Sequence, residues 1–402
     1  MTRRIIQFGT SRFLQAHADL FVHEAREAGQ DIGPITIVKT TSGEERAGRV
    51  AAFGAKSGYP VLIRGMIDQK RIDETIIVKS VDSALQADRD WELVQKLFVH
   101  ETDIVFSNVG ESGYAVPESD LNITSSQLEV PASFPAKLLA LLLVRFESGG
   151  KPMLILPCEL VSENGKVLRR TLNNLALSWG LTPEFQSWFA TQVTICDTLV
   201  DRIVSEAIDP IGAISEPYAL WAIKREATFA VPFTHPAITI TDNLEPYLRL
   251  KLHILNLGHS FLADIWLTEK RQADETVREI LSDVAIKSRL MKIYKEEVIP
   301  GFAGFDMEAA AVKYVSATME RFQNPFLNHR LSDIAQNHHL KIERRVIDFI
   351  SWIKQRNPLA KVELLKQLAK SASMFFQQSE TLAPNHNPNY LLKEYYTLDQ
   401  GG

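Results

Sequence analysis

Up to Thr241 the 402-residue chain alternates short apolar runs with stretches of helical period, and from Asp242-Asn243 onward every periodic stretch is helical. The runs Arg4–Phe8, Ile35–Val38, Asp103–Ser107 and Met153–Leu156 read as buried strands. Parallel strands need a crossover, and helices between strands supply it, so this alternation predicts an α/β domain built on a parallel sheet. Pro60–Met66 and Thr75–Val81, with Asp68-Gln69 between them, read as an antiparallel excursion from that sheet. Tyr218–Ile223, Thr228–Val231 and Ile238–Thr241 read as further short strands. After the capping pair Asp242-Asn243, helices are expected at 246–267, 273–283, 284–298, 307–322, 344–355 and 362–378. The division falls at 1–242 for the α/β part and 243–402 for the helical part, with no flexible linker between them.

The first strand runs into Gly9-Thr10-Ser11 and then an amphipathic helix through Glu27. Strand, tight turn and helix make a dinucleotide site, where backbone N–H groups meet a pyrophosphate, so the α/β part reads as Rossmann-like. Ser11 stands where such a loop has its second glycine and Leu14 where it has its third, so spacing alone equally describes a plain βα turn. The tip of the second strand, Lys39-Thr40, carries no carboxylate to grip a ribose. Lys39 or Arg46 suits the 2′-phosphate of NADP, or is a solvated loop charge. Beyond Ser107, Asn108 and two glycines suit close approach of backbone to a cofactor, as they would any glycine-rich turn.

The stretch Leu244–Thr268 sets Lys251, Asn256 and His259 in one expected helix. At 3.6 residues per turn they point at roughly 0°, 140° and 80°, over a rise of about 12 Å. Side chains lean toward the helix N-terminus, so His259 tilts back toward the other two and the lysine stem closes the gap. Flanking Leu252, Ile254, Leu255, Leu257 and Phe261 predict partial desolvation, which equips a lysine as a base near neutral pH. The plain alternative is a solvated lysine, a capping or core asparagine and a satisfied core histidine.

The string Lys251-Leu-His-Ile-Leu-Asn256-Leu-Gly-His259 resembles the K-x-x-x-x-N-x-x-H signature of the polyol-specific long-chain dehydrogenases, the mannitol dehydrogenase-like family. FGTSRFLQAH resembles the family's N-terminal pattern, with Phe13 and His17 in place, and SNVGESGY its strand-end motif. PCELVSENG and TLVDRIV are most similar to its hexuronate branch, the tagaturonate reductases (altronate dehydrogenases) and fructuronate reductases. RFQNP and Asn328-His329-Arg330 resemble its substrate-facing C-terminal segment. The resemblance covers nearly the whole chain, which is shorter at its C-terminus than full-length hexuronate reductases, a difference expected to bear on oligomerisation or substrate closure.

The resemblance implies that Lys251 is the general base, that Asn256 and His259 hold the reacting oxygen, and that Glu111 lies on the proton route to water. It implies a nicotinamide cofactor, NAD with NADP as the alternative, held by Gly9, Thr10, Ser11, Phe13, Lys39, Thr40, Ser107 and Asn108. Candidate substrate contacts are Glu159, Asn164, Asp201 and Arg330, with a structural Asp201–Arg202 ion pair as the alternative for Asp201. In the polyol branch an asparagine near the Glu159 position touches substrate, so PCEL points away from polyols. Arg330 suits a carboxylate, which a guanidinium holds through two parallel hydrogen bonds, unless it pairs with Asp333 on the next turn. The expected reaction is metal-independent hydride transfer between the cofactor and a secondary alcohol or ketone of a sugar acid, of the tagaturonate/altronate or fructuronate/mannonate type. A polyol or polyol-phosphate dehydrogenase and a non-catalytic NAD or sugar-acid sensor are the alternatives.

Net charge of −5 with interspersed signs excludes a nucleic-acid or acidic-membrane footprint. Two cysteines, Cys158 and Cys196, do not make a disulfide framework or a thiolate zinc site. Adjacent His338 and His339 point apart on a helix, so no metal is expected. The polar start and the absence of a spanning run point to a cytoplasmic protein, a monomer or homodimer, whose partner is a small-molecule sugar acid or polyol.

Overall fold

The computed structural model describes residues 3–41, 47–67, 70–110, 113–121, 123, 130–227 and 230–382. Six strands form one parallel sheet: β1 (Arg3–Phe8), β2 (Ile32–Lys39), β3 (Val81–Gln86), β4 (Thr102–Ser107), β5 (Met153–Pro157) and β6 (Val193–Ile195). Their spatial order is β3-β2-β1-β4-β5-β6, so the order reverses between β1 and β4. This is the Rossmann arrangement, in which ligands bind beyond the carboxyl ends of the strands at the reversal. Period-two geometry explains why these strands read as unbroken apolar runs. Ile5 of β1 and Ile104 and Phe106 of β4 feed one hydrophobic core, while Ile6 and Val105 beside them feed the core on the other face.

The excursion is antiparallel, Tyr59–Ile67 against Lys70–Val78, with Asp68-Gln69 outside the described residues. One boundary differs from expectation. The strand ends at Val78, and Val81–Gln86 is a separate parallel strand, because Ser80 turns inward and its carbonyl accepts from Ile35 N–H at 2.8 Å. Thr198–Asp201 and Val204–Ala207 are strands, and the guanidinium of Arg202 is held by main-chain carbonyls in place of the Asp201 pair given as the alternative. Arg202 instead donates to the carbonyls of Glu216 (3.0 and 2.9 Å) and Ala16 (2.6 Å). Ala230 and Val231 lie in no strand, and residues 228–229 are outside the described set.

Contact clustering separates two compact units, residues 1–248 with 324–327, and 249–323 with 328–402. The second is helical and centres on Leu257–Thr268, against which the helices Val277–Ile280, Leu331–Ala335, His338–Ile342 and Glu363–Leu382 pack. Residues 257–265 are buried in an unbroken run, as expected of a helix enclosed on all sides. Helical period is interrupted three times, by π-helical turns at Lys251–Asn256, Tyr294–Val298 and Glu343–Ile347. Among the described residues no helix is long and apolar enough to cross a membrane.

Candidate active site

At the reversal between β1 and β4, Gly9 has φ +110°, which disfavours any side chain. A Cβ there would lie 2.4 Å from the carbonyl oxygen of Asn108. Gly9 N–H donates to Val38 O at 3.1 Å and Asn108 N–H to Phe8 O at 3.0 Å, so the two turns are locked to neighbouring strands. Ser11 caps the next helix by accepting from Leu14 N–H at 3.2 Å, which explains a serine where a strict loop has glycine. That helix spans only Arg12–Gln15 before a break at Ala16-His17 and a restart at Ala18. Phe13 stacks on His17 with ring centroids 4.7 Å apart. Gly9, Thr10, Ser11, Phe13, Ser107 and Asn108 thus gather at the carboxyl ends of β1 and β4, with Lys39 and Thr40 at the end of adjacent β2. Their backbone cradle fits a dinucleotide. Glu111 and Arg46 lie outside the described residues.

Glu159 follows β5 and is 3% exposed. Its carboxylate accepts from Ser107 Oγ (3.0 Å), Tyr114 Oη (2.9 Å) and Val109 N–H (3.2 Å). Burial pushes its pKa up, and the Ser107 and Tyr114 hydrogen bonds oppose that. Asn164, 1% exposed, donates to the carbonyls of Pro157 and Glu159 (both 3.1 Å) and accepts from Gly165 N–H and Thr198 N–H (both 2.9 Å). Both ends of its amide are therefore occupied. These bonds make Asn164 a stitch between β5, the helix Asn164–Ser178 and the strand Thr198–Asp201. Asp201 is buried on that strand.

In the helical unit, Lys251 and Asn256 are half-buried at the two ends of one π turn, and His259 is buried in the α-helix that continues it. His259 packs against the rings of Phe322 (4.5 Å) and His329 (4.8 Å), and its Nε2 has no hydrogen-bond partner among the described residues. Burial drives its pKa well below the usual value, and His329, Arg345, Arg321 and Lys341 add to the effect. The imidazole is neutral, and the four charged neighbours biasing it are all cationic or able to become so. Arg330 is exposed, next in chain to His329, and makes no ion pair with Asp333. Of the residues around His259, Arg321, Phe322 and His329 stood in a motif. Lys341 and Arg345 are distant in sequence and carry no local signal.

His338, buried, meets Asp264 at 3.3 Å, while Ser371 donates to the other oxygen of Asp264 at 2.7 Å. Among the described residues no group of three or more His, Cys, Asp or Glu is arranged to hold a metal.

Residues 3–233 match the family model of the mannitol dehydrogenase Rossmann domain, and residues 243–389 that of the mannitol dehydrogenase C-terminal domain. Similar curated proteins include the altronate oxidoreductase of Halalkalibacterium halodurans, 29% identical over 369 residues covering 86% of this chain and 70% of that one. The altronate oxidoreductase of Bacillus subtilis is 26% identical over 427 residues, covering 99% and 85%. The fold is similar to that of a substrate-free D-sorbitol dehydrogenase, with TM-score 0.76 at 18% identity over 93% of this chain and 80% of that one. It is also similar to Pseudomonas fluorescens mannitol 2-dehydrogenase in ternary complex with NAD and D-mannitol, with TM-score 0.73 at 20% identity over 94% and 80%.

Proposed function

The chain belongs to the mannitol dehydrogenase family, and from that premise we propose that it interconverts the secondary alcohol and ketone of a sugar acid, altronate and tagaturonate or their mannonate and fructuronate counterparts. It is an NAD-dependent dehydrogenase, which sets aside the non-catalytic sensor. The carrying observation is a neutral, buried His259 whose Nε2 is unmatched, on the helical run that bears Lys251 and Asn256. A buried polar nitrogen without a partner costs about 1–3 kcal/mol, and a substrate oxygen offers it one. Burial lowers the pKa of His259 and makes its imidazole a weak base that still offers one N–H donor, so we assign the base to Lys251, as the resemblance implies. During oxidation Lys251 accepts the hydroxyl proton while Asn256 and His259 donate to the developing alkoxide. The cofactor, when bound, accepts the hydride. The backbone cradle at Gly9 and Asn108 would hold its pyrophosphate, and Glu111 would pass the proton of Lys251 to water.

We favour a sugar acid over a neutral polyol because the groups that add to the lowering of the His259 pKa, namely His329, Arg345, Arg321 and Lys341, carry or can carry positive charge. A substrate carboxylate would complement them, and we assign exposed Arg330, next in chain to His329, to bind it in two-pronged fashion. Glu159 and Asn164 serve the scaffold of the α/β unit in this reading, because their polar atoms are already committed. The test is nicotinamide absorbance with altronate, mannonate, mannitol and arabinitol, each with NAD and NADP. The expected result is a preference for a sugar acid of about 10- to 100-fold in kcat/KM, narrowed in Arg330→Ala, and for NAD over NADP. Equal efficiency toward mannitol and altronate refutes the sugar-acid assignment, and a larger kcat/KM with NADP refutes the cofactor preference.

A further inference from the structure

From Glu245 to Thr268 the backbone runs α, π, α: Glu245–Leu250, Lys251–Asn256 and Leu257–Thr268. In pure α geometry, residues five apart, such as Lys251 and Asn256, are offset by roughly 140°. A π turn closes over more residues, i to i+5, and so swings the two toward one side. Where π geometry passes into α, a carbonyl loses its regular N–H donor, and a buried carbonyl left so is destabilising. At this turn Ile254 O keeps a backbone donor in Leu257 N–H, and side-chain donors from elsewhere in the fold add to it.

They come from the other two π turns. Tyr294 Oη, fully buried, donates to Ile254 O at 2.8 Å. Arg345 donates through Nη1 to Asn256 O at 3.1 Å and to Ser260 Oγ at 2.9 Å. His253 Nδ1 donates back to Arg345 O at 3.1 Å, which fixes its tautomer and leaves Nε2 to accept from Arg249 at 3.2 Å. Gly258 provides the space, since a Cβ there would stand 2.1 Å from Tyr294 Oη and 2.9 Å from the Phe322 ring.

We infer that Tyr294 and Arg345 are positioning residues for the reaction, clasping the π turn so that Lys251 and Asn256 face the same reacting oxygen. The inference rests on the roles proposed above for Lys251 and Asn256. Neither residue touches substrate in this account, so a loss in their variants arises through misplacement, for which a displacement near 1 Å costs on the order of 100-fold in rate.

The experiment removes one hydroxyl. Tyr294→Phe is measured with the sugar acid or polyol that the wild type turns over fastest, using substrate protonated or deuterated at the reacting carbon. The expected result is a kcat about 10- to 100-fold lower per folded molecule, unchanged NAD affinity, and a larger deuterium isotope effect as hydride transfer becomes rate-limiting. Arg345→Lys, which keeps one donor, should lie between wild type and Arg345→Met. Ile286→Val, a core change on the helix Val284–Ile293, serves as the control for lost stability and should leave the isotope effect as in wild type. If Tyr294→Phe does not accumulate, Ser260→Ala removes one of the groups that holds Arg345 and should raise the isotope effect likewise. A wild-type kcat and isotope effect in these variants, or a rate loss equal to the loss of folded protein, overturns the inference. Lys251→Ala is run alongside. Turnover retained there removes the catalytic reading and this inference with it, whereas an inactive Lys251→Ala beside a wild-type-like Tyr294→Phe removes the positioning role alone.

Discussion

Asp19 is sealed in the core of the α/β unit, where Tyr59 Oη donates to it at 2.6 Å and its own carbonyl accepts from Ser80 Oγ at 2.6 Å. Burial raises its pKa from 3.8 to about 6, with the hydrogen bond from Tyr59 opposing. Between those values the folded protein keeps a proton that the unfolded chain has released, so this group's contribution to stability is present below pH 3.8 and is lost as pH rises through 6. Asp19→Asn mimics the protonated acid. Its urea midpoint relative to wild type should therefore climb between pH 4 and 6 and level off above; parallel pH curves for the two proteins would contradict the assignment. His253, whose pKa burial lowers to about 3, works in the opposite sense, costing stability as pH falls below 6.5. The comparison with Asp19→Asn cancels that background. None of this was legible in sequence, where Asp19 is one acidic residue in an amphipathic helix. Lys251, Asn256 and His259, which we propose to react, were singled out in sequence by the resemblance, since their spacing also described a solvated lysine, a capping or core asparagine and a core histidine.

At the scale of elements, the parallel strands were readable because burial on both faces writes itself as a continuous apolar run. Val81–Gln86, an edge strand with a half-buried pattern, carries no such run and was not expected beyond Val81, where the preceding strand was read to end. Asn164 shows a role that local pattern hides. It reads as a polar residue of the PCELVSENG motif, yet it ties three element ends together through four hydrogen bonds. Asn164→Ala should lower unfolding stability by about 2–4 kcal/mol, measured by denaturant titration, with any loss of activity following the folded fraction. A raised substrate KM at unchanged stability would instead make Asn164 a substrate contact. The π turn at Lys251–Asn256 was equally hidden, since its residues make a good α-helix by propensity.

For the whole molecule, the residues suited to the dinucleotide lie in one compact unit and Lys251 lies in the other. Lys251→Ala should accordingly abolish turnover while leaving NAD affinity, measured by calorimetry or fluorescence, within about twofold of wild type. Weakened NAD binding of tenfold or more would show that the two functions are not so divided. The sequence by itself determined the alternation of strands and helices over most of the chain and the switch to helix near residue 243, because periodicity is a property of neighbouring residues, while Lys251, Asn256 and His259, which we propose to react, were singled out by the resemblance. Only the tertiary structure decided the strand order β3-β2-β1-β4-β5-β6, the close approach of Gly9 and Asn108, the cationic groups around His259 and the clasp of Tyr294 and Arg345 on the π turn. Those depend on groups 29 to 99 residues apart in the chain, whose meeting is fixed by burial and by satisfying backbone hydrogen bonds rather than by any local pattern.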